Sequence, residues 1–77
     1  MNTVIFRKPK FMRNESDMQT YLDIAHAIGK TIDDPELDLD QRYVLSKTMG
    51  ECLNKASKAG GFIRTEDFIK WLDSKAT

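Results

Sequence analysis

Two residues of this 77-residue chain belong to the types that most often move protons or attack electrophiles: its one histidine, His26, and its one cysteine, Cys52. A histidine serves as general base when a reacting group lies within hydrogen-bond reach, usually in a partly enclosed site. At helical spacing His26 shares a face with Gln19, Asp23 and Lys30, opposite an apolar stripe, so it is expected in solvent with Asp23 as a weak neighbour. Cys52 lies on an apolar stripe between Met49 and Leu53, late in its helix and away from the positive field that activates a thiolate. It reads as a small core hydrophobe. The sequence has no nucleophile–base pair, no glycine-rich phosphate loop and no facing carboxylate pair, so no catalytic residue and no cofactor is expected and the chain does not read as an enzyme.

Charge is the more informative chemistry. Twelve basic and twelve acidic residues cancel, so the whole molecule has no electrostatic bias toward nucleic acid. Their distribution is bipolar. Arg7, Lys8, Lys10 and Arg13 crowd an N-terminal arm, interleaved with Phe6, Phe11 and Met12, while Asp33, Asp34, Glu36, Asp38 and Asp40 crowd a later segment. The acidic run lacks the alternating carboxylates and glycine of a calcium loop, Pro35 restricts it, and Asp34 and Asp40 suit helix caps, so no metal site is expected there. The lone cysteine excludes an internal disulfide, and no Cys/His cluster exists for zinc.

Two short stretches resemble known motifs. Gly61-x-Ile63 followed by Asp67-Phe68 resembles the second half of an EF-hand loop entering its exit helix. With Gly61 on that loop's glycine, Ala56, Lys58 and Gly60 fall where the first three side-chain ligands belong; none coordinates calcium, and Lys58 repels it. The resemblance therefore implies a helix–loop–helix scaffold without its ion. Ala25 to Gly29 resembles the turn entry of a helix-turn-helix, but the recognition helix would then begin at Asp33-Asp34-Pro35-Glu36, which repels phosphate.

Length permits one domain, residues 1–77, with residues 1–13 an N-terminal arm or short strand. Such a domain buries only roughly 60% of its unfolded surface, which disfavours a deep ligand cavity. The fold class expected is mainly α: a small three-helix domain, four with a short helical turn at 34–38, and a minimal two-stranded β-ribbon from residues 3–6 and 62–64. Ser16 with Gln19 predicts a capping box, and Met18, Tyr21, Leu22, Ala25 and Ile28 mark a helix over 16–28 that Gly29 ends. Asp40 as cap and Leu39 stapled on Val44 predict a second helix over 41–58, with Leu45, Met49, Cys52, Leu53 and Ala56 inward and Gly60-Gly61 as its stop. Gly50, on its polar face, marks either close approach by another backbone or plain tolerance of a weak helix former. Thr65 caps a third helix with Phe68, Ile69, Trp71 and Leu72 inward, and Phe11-Met12 tuck against the core.

On this reading the helices' inward faces absorb nearly every apolar residue from Met18 onward and leave two surfaces unexplained. The function expected is a small non-catalytic protein-binding module: an adaptor, inhibitor or accessory subunit. Its partner-binding residues are Phe6, Arg7, Lys8, Lys10, Phe11 and Arg13 on the arm, with Asp33, Asp34 and Glu36 on the acidic turn. Another protein is the expected partner, with self-association of arm against acidic turn a variant. The alternative is a nucleic-acid-binding regulator whose arm contacts phosphates and stacks a base. No apolar run is long enough to span a membrane, and Met1 to Phe6 is followed by basic rather than small residues, unlike a signal peptide. A cytoplasmic location is expected.

Overall fold

Helix termini decide this architecture, because each must find partners for its orphan backbone groups. The computed structural model describes residues 5–76, and among these a 3₁₀ turn at Lys10–Met12 precedes α1 (Glu15–Ile32), α2 (Leu39–Ala59) and α3 (Thr65–Ala76). The protein is a small, mainly α domain. The cap of α1 is Asn14 rather than Ser16: its side chain accepts from the Asp17 amide at 3.0 Å, and its own amide donates to the Ala59 carbonyl at 2.6 Å. Asparagine caps as well as serine does, and the bond to Ala59 ties the start of α1 to the end of α2. Gly29 does not end the helix, which runs on to Ile32, and a Cβ there would meet Met49 of α2 at an ordinary contact distance of 3.8 Å.

The segment expected as a helical turn at 34–38 is a non-helical reversal. The Asp34 carboxylate accepts from the Glu36 amide at 2.9 Å, its carbonyl accepts from Leu37, and Arg42 donates to the same carbonyl at 3.1 Å. A side-chain turn of this kind competes with helix and wins where proline follows aspartate. The cap of α2 is Asp38, two residues before the expected Asp40, in a reciprocal capping box with Gln41. Leu39 and Val44 do not staple this end; they are 84% and 60% exposed.

The end of α2 follows the expected stop in detail. The Phe62 amide donates to the Ser57 carbonyl and the Gly61 amide to the Lys58 carbonyl, the paired bonds of a Schellman motif, with Gly61 left-handed at φ +79°. Phe62 thereby swings onto Ala56, and a buried cluster of Met18, Ala56, Phe62 and Phe68 forms, flanked by Ile5, Tyr21, Leu22, Leu53, Trp71 and Leu72. The rings of Phe62, Phe68 and Trp71 sit 5.2 to 6.1 Å apart. This core occupies one end of the α1/α2 hairpin. The other end, at the 33–38 turn, extends beyond α3.

Among the described residues the β-ribbon amounts to one antiparallel bridge, Arg7 to Phe62, with Lys8 donating to the Gly61 carbonyl at 2.7 Å. Residues 3 and 4 of the expected strand lie outside the described residues. Phe11 and Met12 do not tuck in; the 3₁₀ turn leaves Phe11 86% exposed.

Candidate functional site

The arm's arginines are not a free basic surface. The Arg7 side chain is only 14% exposed, with its guanidinium 4.3 Å from the Phe62 ring centre and 5.0 Å from that of Trp71. Its Nε donates to the Gly60 carbonyl at 2.8 Å and its Nη2 to Glu15 at 3.2 Å. Burial first, and Arg13 second, lower its pKa, while Glu15 opposes them; the group stays charged at any working pH. Arg13 Nε donates to the Lys8 carbonyl at 2.8 Å, and its Nη1 reaches Glu15 at 3.5 Å. These two residues brace the arm across the ends of α1, α2 and α3. Of the residues expected to bind a partner, Phe6, Lys8, Lys10 and Phe11 stay exposed, and so do Asp33, Asp34 and Glu36. The structure does not bring the two groups together: the arm sits by Gly60 and Gly61, the acidic turn at the opposite end of the hairpin.

The EF-hand resemblance reduces to a glycine turn. Ala56 and Lys58 lie within α2, so the connection to α3 is too short for a calcium loop. Asp67, fully buried at the loop's last position, accepts from Arg64 Nε at 3.1 Å and Nη2 at 3.4 Å. This pairing raises the Arg64 pKa, with Glu66 adding to it. No group of histidine, cysteine, aspartate or glutamate side chains fit for a metal occurs among the described residues. Cys52 is buried and unpaired, and no described helix is long and apolar enough to cross a membrane.

What the sequence reading missed is apolar surface. Ile24, Leu39, Tyr43, Val44, Ile63 and Ile69 are all exposed, so the inward faces do not absorb the apolar residues after Met18. Ile69 in particular is 50% exposed rather than inward. Between α1 and α3 lies an open groove of about 680 Å³ whose floor is Leu22, Met49, Leu53 and Leu72. Gln19, Asp23, His26 and Lys30 of α1 form its polar edge, so His26 is exposed as expected but borders a cleft. A second cleft of about 240 Å³ shares Leu53 and Leu72 and adds Gly50, Phe68 and Ile69. The two clefts adjoin at Leu53 and Leu72, with Met49 and Gly50 of α2 lining one each. A Cβ built on Gly50 would meet no other described part of this chain within 4 Å. The signal was present in α2's spacing: Leu39, Tyr43, Ser46, Gly50 and Leu53 alternate by four and three, uncharged throughout.

Scans of protein-family models, curated proteins and solved structures find no match to this chain.

Proposed function

We propose that this chain is a small, non-catalytic protein-binding module whose binding surface is the uncovered side of α2 rather than the basic arm. One observation carries the reading: α2 and α3 leave Leu39 84%, Tyr43 69% and Ile69 50% exposed, and Ile69 shares a cleft with Gly50 and Leu53 of the same α2 stripe. Large apolar side chains left exposed along one helix stripe of a small domain favour a place where another macromolecule sits. Arg7 and Arg13, which would have led phosphate binding, are committed to Gly60, Glu15 and the Lys8 carbonyl. Lys8, Lys10 and Phe11 alone make a poor phosphate track. The arm is a brace, and the exposed lysines at its turn supply charge at the border of the interface, where charge governs orientation and on-rate.

Site-specific photo-crosslinking in the native cell tests this. A crosslinker at Tyr43 or Ile69 is expected to trap protein, and one at Phe11 or Lys10 to trap little. Nuclease-sensitive crosslinks from Phe11 with none from Tyr43 would replace the module with the nucleic-acid reading.

A further inference from the structure

The face assigned above has the form of a self-complementary surface, and we infer that its occupant is a second copy of this chain, docked antiparallel across α2; this rests on the reading of that face as an interface. The uncovered stripe runs Leu39, Tyr43, Ser46, Gly50 and the half-buried Leu53, with its two smallest members, Ser46 and Gly50, in the middle of the 21-residue helix; Ser57, beyond Leu53, is buried. A two-fold axis midway between Ser46 and Gly50 sets Ser46 against Gly50 of the second copy and Tyr43 against its half-buried Leu53, and lays Leu39 toward the α3 edge that covers the C-terminal part of the second copy's stripe. Isologous contact requires that each patch meet its complement on the other side of the axis. Here Tyr43 stands proud on one side, and the 240 Å³ cleft beside Gly50, Leu53 and Ile69 opens on the other. Gly50, which costs helix stability and meets no other described part of its own chain, admits the close crossing of two helices.

Charge agrees with this arrangement. The antiparallel crossing carries the arm end of one copy, with Lys8 and Lys10, to the level of the second copy's acidic turn, with Asp33, Asp34 and Glu36, and does so twice. A chain with zero net charge brings no overall repulsion to self-contact. Area agrees as well. The chain exposes 5859 Å², against about 4,800 Å² for a compact monomer of its mass. That excess of about 1,000 Å² is close to the ~800 Å² each partner contributes to a standard interface. Its radius of gyration, 14.0 Å, likewise exceeds the about 11.5 Å of a self-contained globule this long.

Sedimentation equilibrium on the purified chain, from micromolar to millimolar, tests the inference. The wild type is expected to reach twice its 8.9 kDa mass. Gly50→Arg, which improves helix propensity at a site with open space around it, is expected to keep the circular dichroism of the wild type and to sediment as a monomer. Reversing the arm in one variant (Lys8→Glu with Lys10→Glu) and the turn in another (Asp33→Lys with Glu36→Lys) is expected to weaken each homodimer about tenfold or more, and mixing the two to restore dimer. A monomer at every concentration, or a dimer that Gly50→Arg leaves intact, overturns the inference. In that event a Tyr43 crosslink to a different protein keeps the binding-module reading with a foreign partner, and no Tyr43 crosslink removes both.

Discussion

Arg7 shows most clearly how composition misleads without contacts. Four cations in seven residues read as a surface for partners, yet Arg7 lies over two rings and donates to a backbone carbonyl, and Arg13 ties the arm to itself. Replacing Arg7 by methionine keeps the apolar stem and removes the charged hydrogen bonds and the ring contact, a loss of about 2 kcal/mol. For a domain of this size that lowers the melting temperature by roughly 8 to 16 °C, read by circular dichroism. An unchanged melting temperature would mean that the arm is free after all. Gly61 makes a comparable point for the backbone. An alanine there needs a left-handed φ, and its Cβ would fall 2.9 Å from Arg13 and 3.1 Å from Lys8. Gly61→Ala is expected to cost about 1–2 kcal/mol or more in urea unfolding, and a neutral result would remove the Schellman turn as the anchor of Phe62.

At the level of elements, the three helices and the α2 stop at Gly60-Gly61 were legible, while the starts of α1 and α2, the end of α1 and the form of the 33–38 turn were not. The apolar periodicity of Met18, Tyr21, Leu22 and Ala25, and of Leu45, Met49, Cys52 and Ala56, located α1 and α2 correctly. The caps slipped because several side chains in each stretch are good caps, and tertiary bonds choose among them. Asn14 prevails over Ser16 since its amide also serves Ala59, and Asp38 over Asp40 since Gln41 completes its box. Asp38→Ala is therefore expected to cost about 1 kcal/mol, as loss of an N-cap does, whereas Asp40→Ala stays within about 0.5 kcal/mol, as surface changes do. Equal losses in the two variants, measured by chemical denaturation, would return the cap to its sequence-based place. The candidate face escaped the sequence for a related reason. A stripe spaced by four and three reads as one more inward face until the position of α3 shows that only its C-terminal part is covered.

As a whole molecule the protein is a helical hairpin with a core at one end and an apolar shoulder at the other, 43 Å long and 17 Å thin. Its two charge clusters sit at opposite ends, so a single small partner bound at one of them does not reach the other. The α2 face lies between them, and on the proposed reading it joins the bipolar charge and the exposed apolar residues into one interface. Backbone amide chemical shifts, followed from dilute to concentrated protein, test that claim most directly. Concentration-dependent changes centred on Tyr43, Ser46, Gly50, Leu53 and Ile69, with smaller ones at Lys8, Lys10 and Asp33, are expected. Constant α2 shifts across the range, or changes confined to Phe11 and its neighbours, would contradict it.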